Sequence, residues 1–182
     1  MRDVELIASA MRKCRRYASF FEWPNKQLKE LGIVDELLTS LGSNGPQLSD
    51  ARANSPDPPD CVCLDAAGNE VAVEVVELVS EEAVRRNARG EDVYRWWKPE
   101  DIRMALGALL SRKDAKSFHG GPYQDIVVLI FTDEPVLSAV EVREALAGVE
   151  FGPLRQVTLG FLMFSYMPSK GYEVIHLPLA HK

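Results

Sequence analysis

The spacing of hydrophobic and polar residues predicts a chain in which helices and strands alternate. Apolar residues recur on one helical face over residues 3–21 and again over 26–41, and Trp23-Pro24-Asn25 separates these two predicted helices. Apolar alternation then predicts a strand over 60–64 and a valine-rich strand over 70–79. A Gly-Asn turn between these two strands makes them a predicted hairpin.

The second half of the chain continues this alternation. Pro99 suits the start of a helix that runs to about residue 116, and the Ser138–Glu141 capping box opens another that runs to about residue 148. Such mixing of elements predicts an α/β sandwich with a mixed sheet. The remaining segments are predicted as strands over 125–131, 157–166 and 172–177, a polar loop over 49–59, and either a helix or a flap over 80–92.

Composition narrows the class of protein. The 182 residues, 46% of them hydrophobic, suit one domain over 1–182 with a substantial core. No apolar run approaches the roughly 20 residues of a membrane-spanning helix, and the N-terminus lacks the pattern of a secretory signal. We therefore expect a cytoplasmic protein that does not bind membranes. Cys61 and Cys63 are expected to fill the core rather than bind zinc, and Cys14 is expected to be a buried helix residue.

Charge gives no general attraction to nucleic acid, because the net charge is −6. Basic residues nevertheless cluster after the hairpin, among them Arg95, Lys98 and Arg112. These residues are either solvated helix faces or contacts to a polyanion. Trp97 lies in the same stretch and either stacks on bases or belongs to the core or an interface.

Two carboxylates are expected to face each other on the hairpin. If residues 65–69 form the loop, the pairing is symmetric about Ala67 and places Asp60 opposite Glu74. Opposed residues have Cβ atoms about 4.5–5.5 Å apart. Two carboxylates at that distance repel each other, and a hard divalent cation such as Mg²⁺ relieves the repulsion. The hairpin therefore predicts a metal site.

The helix that follows Pro99 carries lysines on its predicted inner stripe. Ile102, Leu106, Leu109, Lys113 and Lys116 step by four, three, four and three residues. The ammonium groups at the end of this stripe either extend out to water or lie over the sheet edge near the paired carboxylates, where they would stabilise charge on a phosphate.

Together these features resemble the PD-(D/E)XK nuclease superfamily. Pro59-Asp60 matches the Pro-Asp element and Glu74 matches the acidic residue on the next strand, and the resemblance covers roughly residues 26–131. It implies a restriction-endonuclease-like three-layer sandwich with a central mixed β-sheet flanked by helices. Residues 1–24 would then form an N-terminal helical extension, and 132–182 would supply a C-terminal helix and two strands.

The chain departs from the family pattern at Val76, where the family has a lysine two residues after the acid. The stretch 73–78 looks like a Glu-Val-x-Glu-Leu variant of the motif. Glu77 does not replace the lysine, since strand alternation turns it to the opposite face. Some family members carry the lysine on the following helix, and Lys113 is the best-placed candidate here, with Lys116 second.

The resemblance also implies a ligand set and an activity. Asp60, Glu74 and the Val75 carbonyl would hold Mg²⁺ or Mn²⁺, with a further glutamate from the preceding helix, either Glu30 or Glu36. The second Pro-Asp, at Asp57, is expected to lie too far into the loop to face Glu74.

The expected function is a metal-dependent nuclease that hydrolyses phosphodiester bonds of DNA or RNA. The alternatives are a catalytically inactive nuclease-fold protein that binds nucleic acid or protein, and an unrelated α/β protein in which Asp60 and Glu74 do not pair. Nucleic acid is the expected partner, and a homodimer is left open. The residues expected to contact nucleic acid are Arg95, Trp97, Lys98 and Arg112.

Overall fold

A computed structural model describes residues 25–42, 45–91 and 93–180. This part of the chain is an α/β structure with four helices and a six-stranded mixed sheet, which confirms the predicted class. The predicted helix over 3–21, the extension over 1–24 and Cys14 lie outside the described residues. Within the described chain, none of the helices combines the length and the hydrophobicity needed to cross a membrane.

The strands follow one another across the sheet in chain order, β1 to β6. The three central strands, β3, β4 and β5, are parallel, whereas β1, β2 and β6 pair antiparallel with their neighbours. The bounds are β1 Ser49–Ala53, β2 Cys61–Leu64, β3 Glu70–Glu77, β4 Asp125–Thr132, β5 Leu159–Phe164 and β6 Val174–His176.

The hairpin of β2 and β3 has the register that the sequence predicts. Cys61 pairs with Val73 and Leu64 pairs with Glu70, so continuing this register by one residue places Asp60 opposite Glu74. The turn is fixed by Asp65, whose carboxylate accepts hydrogen bonds from the backbone N–H groups of two residues further along the turn.

Four helices cover the sheet, and each begins where a capping or proline signal stands. Asn25 caps the first, Ser80 the second and Ser138 the fourth, where both halves of the capping box are present; Pro99 opens the third. The helices are α1 Lys26–Leu41, α2 Glu81–Ala88, α3 Pro99–Asp114 and α4 Ala139–Ala145.

The core consists of two hydrophobic clusters on opposite faces of the sheet. Alternate residues of β3 divide between them, with Val73 and Val75 in the cluster that contains α1 and Val76 in the cluster that contains α3 and α4. Cys61 and Cys63 lie fully buried in the α1 cluster, where burial raises the pKa of these thiols to about 12 and about 11. The expectation that both cysteines fill the core is therefore confirmed.

Several predicted details were wrong. The polar segment 49–59 contains the strand β1, whose side chains are mostly exposed at the edge of the sheet. The apolar face predicted over 26–41 included Leu28, which is instead 66% exposed. On α3, Leu110 is fully buried in place of the predicted Leu109, because the helix turns Leu109 to the margin of the core.

Candidate metal centre

The hairpin holds two carboxylates at its open end, in the interior of the protein. Glu74 on β3 is 0% exposed and Asp60, directly before β2, is 4% exposed. The backbone N–H of Val75 donates to Asp60 Oδ2 at 2.8 Å. This bond fixes the Asp60 side chain across the hairpin, beside Glu74.

Asp57 joins these two residues, contrary to expectation. Each of the three side chains offers one oxygen, and the three oxygens lie within 4.8 Å of one another. We call Asp57, Asp60 and Glu74 the carboxylate triad. Asp57 is the exposed member, and the loop between β1 and β2 brings it back over the end of the hairpin.

Lys113 reaches the triad from α3. Its ammonium lies 2.5 Å from Glu74 Oε2, 2.9 Å from the Val75 carbonyl oxygen and 3.5 Å from Asp60 Oδ2. The side chain is only 7% exposed, so it does not extend to water. The structure thus brings together the three residues, Asp60, Glu74 and Lys113, that the sequence selected from separate elements.

Two further lysines contact the triad. Lys116 Nζ lies 2.7 Å from Glu74 Oε2, and Lys26 Nζ lies 2.6 Å from Asp57 Oδ2 and 3.1 Å from Asp60 Oδ1. Burial acts to lower the pKa of both lysines, but their hydrogen bonds to these carboxylates outweigh it and raise each pKa above its usual value. Three ammonium groups therefore balance three carboxylates.

Lys26 and Asp57 are the members of this network that the sequence interpretation missed. A signal for Lys26 was present, because it stands four residues before Glu30 and therefore on the same helix face. For Asp57 the signal was the second Pro-Asp dipeptide.

Glu30 lies beside the triad without belonging to it. It is buried on α1, and Lys26 Nζ stands 3.5 Å from its Oε1. Burial, reinforced by the nearby charge of Asp60, raises the pKa of Glu30 to about 7. The other glutamate considered, Glu36, is exposed and close to Tyr172 instead.

Val76 occupies the position at which the resemblance leads us to expect a lysine. Val76 lies on the α3 face of β3 beside Glu74, whereas Glu77 alternates to the α1 face as expected. Burial, with the charge of Asp133 adding to it, raises the pKa of Glu77 to about 8. Glu77 therefore does not take the place of the lysine that Val76 replaces. The positive charge beside Glu74 comes instead from Lys113 on α3.

The residues around the triad fit a hard divalent cation. Glu74 Oε1 is buried and has no hydrogen-bond partner among the described residues, an arrangement that is costly unless the oxygen gains a ligand. The three side chains offer only carboxylate oxygens, which Mg²⁺ and Mn²⁺ prefer. Asp60 lines a cleft of about 390 Å³ with Glu30, Lys113 and Lys116, which we call the carboxylate cleft.

The four residues expected to contact nucleic acid do not all lie in the same place. Arg95, Trp97 and Arg112 line a second cleft between α2 and α3, and Arg112 also lines the carboxylate cleft. Lys98 is exposed as the residue directly before α3, and it lines neither cleft. Trp96 is 77% exposed.

Comparison with known proteins identifies no family for this chain. No protein-family model, no curated protein and no solved structure matches the chain.

Proposed function

We propose that this protein is a metal-dependent nuclease that hydrolyses phosphodiester bonds of DNA or RNA on a restriction-endonuclease-like core. The observation that carries the proposal is the convergence of Asp60, Glu74 and Lys113 at one buried point. Two carboxylates can hold a divalent cation, and an ammonium beside them can stabilise charge on a phosphate, which together would support metal-assisted phosphodiester hydrolysis.

The carboxylate triad would hold the cation, with the Val75 carbonyl and Glu30 as further donors at the margin of the same cleft. When bound, Mg²⁺ or Mn²⁺ lowers the pKa of a coordinated water and polarises the phosphoryl oxygens. The protein side chains fix the position of this chemistry. Val75 N–H holds Asp60 in place, and the low exposure of Glu74 keeps bulk water away from it.

Lys113 would orient the attacking water and stabilise charge on the phosphate. Its ammonium contacts Glu74 and the Val75 carbonyl, which places a positive charge directly beside the position where negative charge would develop. Lys116 supplies a second, half-exposed cation on the open side of the same carboxylate. Nucleic acid as the substrate is a part of the proposal that rests on the sequence.

A second candidate function is a nuclease-fold protein that binds nucleic acid or protein without cutting. The observation that favours it is the charge balance, because three lysines already neutralise the triad at distances of 2.5–3.1 Å. A buried cluster that is neutral without a cation has less need to bind one.

Cleavage assays decide between these two functions. Single-stranded and duplex DNA and RNA are incubated with Mg²⁺, with Mn²⁺ or with a chelator. We expect cleavage only with the metal, and a loss of at least about 100-fold in Asp60→Asn and in Glu74→Gln, because each removes a charged ligand. The matched controls are Asp50→Asn and Glu36→Gln, which change the same residue types at exposed positions away from the triad.

The outcomes are distinct. Equal activity in the site variants and the controls would refute the assignment of the site. No cleavage of any substrate, together with calorimetry that detects no metal binding, would instead favour the binding module.

A further inference from the structure

A second cleft lies beside the carboxylate cleft, between α2 and α3. It has a volume of about 590 Å³, within the range of small-molecule sites. We call it the α2–α3 cleft. Trp97, Met104 and Leu109 line it together with the arginines Arg85, Arg95 and Arg112 and four acidic residues.

The two clefts are continuous. Glu77, Val79, Glu81 and Arg112 line both of them. Arg112 has no ion-pair partner among the described residues, so its guanidinium is available to a phosphate at the border between the clefts. A strand with one phosphate at the triad would therefore extend directly into the α2–α3 cleft.

Arg95 contacts two residues of this cleft. Its guanidinium lies 4.6 Å from the ring centroid of Trp97, and its Nη2 lies 3.2 Å from Asp101 Oδ2. The ring contact and the ion pair together favour this placement of the guanidinium. Arginine planes and aromatic rings are the surfaces on which proteins stack unpaired bases.

The cleft also carries an unsatisfied hydrogen-bonding group. Trp97 lines the cleft, and its Nε1, a donor, is buried without a hydrogen-bond partner in the described part of the chain. Nucleobase edges present hydrogen-bond acceptors. A base is therefore a ligand that could accept a hydrogen bond from Trp97 while it stacks on Arg95.

We propose that the α2–α3 cleft seats one unpaired nucleobase of the strand whose phosphate lies at the carboxylate triad. The inference rests on the proposed nuclease function and makes its substrate class more specific. The substrate is single-stranded or locally opened nucleic acid, because a base must leave its duplex stack before it can enter a cleft of this kind.

Binding is tested on the full-length protein without metal, so that cleavage plays no part. A single-stranded DNA of six nucleotides and the RNA of the same sequence are titrated in the presence of a chelator, with fluorescence anisotropy as the readout. Each oligonucleotide in a series carries one abasic nucleotide, and its position differs from one oligonucleotide to the next. The protein variants are Arg95→Lys, which keeps the charge and removes the stacking plane, and its matched control Arg103→Lys on the exposed face of α3.

We expect one position at which the abasic nucleotide weakens wild-type binding about 5- to 150-fold, the range for loss of one stacked base. At that position Arg95→Lys should lose less than about twofold, because its stacking contact is already absent. Arg103→Lys should behave as the wild type does. A second variant pair, Trp97→Phe against Trp96→Phe, tests the indole N–H in the same way, and urea unfolding confirms that each variant is folded.

Additive effects of Arg95→Lys and the abasic nucleotide at every position would overturn the proposal and leave the cleft to a protein segment. The test is separable from the proposed function. Coupling without any cleavage in Mg²⁺ would support the base site and refute the nuclease, whereas cleavage without coupling would do the reverse.

Discussion

Replacement of Lys113 by methionine separates its electrostatic role from the metal site. Methionine keeps much of the length of the side chain and removes the ammonium. In the wild type that ammonium contacts Glu74 Oε2, the Val75 carbonyl and Asp60 Oδ2 at 2.5, 2.9 and 3.5 Å. The variant leaves the fully buried Glu74 with Lys116 as its only lysine partner among the described residues.

The expected destabilisation follows from this burial. Breaking a buried ion pair by removing one partner costs about 3–5 kcal/mol. Since Lys116 remains 2.7 Å from Glu74 Oε2, we expect a value at the lower end, about 3 kcal/mol. Adding Glu74→Gln removes the uncompensated charge, so the double variant should be more stable than the sum of the single effects by about 0.5–3 kcal/mol. The free energy of unfolding in urea measures each term.

Magnesium should restore much of the lost stability. A cation that binds only the folded state stabilises it by about 2.7 kcal/mol when its concentration is 100 times its dissociation constant. In the wild type the cation must compete with the Lys113 ammonium for Glu74 and the Val75 carbonyl. The stabilisation by Mg²⁺ should therefore be larger in Lys113→Met than in the wild type, although cleavage is lost.

The control is Lys170→Met, which removes an exposed pair with Glu173 and should change stability by at most about 1 kcal/mol. Two results would refute the reasoning. Strict additivity of Lys113→Met and Glu74→Gln would show that the two groups do not interact. Equal effects of Mg²⁺ on Lys113→Met and on Lys113→Met with Asp60→Asn would show that the triad does not hold the cation.

Two further predictions concern the stability of the fold. Ser138→Ala should cost about 1 kcal/mol in urea unfolding, because the hydroxyl accepts the Glu141 N–H at the start of α4; the exposed Ser117→Ala is the control, and an equal loss there would contradict the capping role. Burial, followed by the charge of Glu134, raises the pKa of Asp133 from 3.8 to about 6. Between these pH values the folded protein binds more protons than the unfolded chain, so this carboxyl lowers stability as pH rises. Asp133→Asn should therefore gain stability relative to the wild type from about pH 4 to about pH 6, and a constant difference across that range would contradict the assignment.

The sequence alone was sufficient to predict the register of the hairpin and the inward face of the helix that packs over it. Side chains alternate strictly along a strand, so the choice of loop determines every cross-strand pair, and Asp60 opposite Glu74 follows from it. Helical periodicity likewise places Lys113 on the face that Ile102 and Leu106 bury. Both arguments depend on short-range geometry, which the order of residues determines.

The position of Asp57 could not be predicted because it depends on pairing between distant segments. The edge strand β1 is polar and mostly exposed, so it shows no alternation that would reveal it. Its pairing with β2 turns the segment 54–60 from an open approach into the loop of a second hairpin. That loop returns Asp57 to the end of β2, beside Asp60.

The helix-borne lysine explains how an apolar residue is tolerated at Val76. A lysine at position 76 would point toward α3. In this protein Lys113, on α3, occupies the same region beside Glu74. The ammonium then shares its ligands, Glu74 and the Val75 carbonyl, with any bound cation. A cation at the triad would therefore release Lys113 from at least one of these bonds and free it to donate to a phosphate. The charge balance that makes the cluster stable without a cation would thus also provide the lysine that the proposed hydrolysis needs.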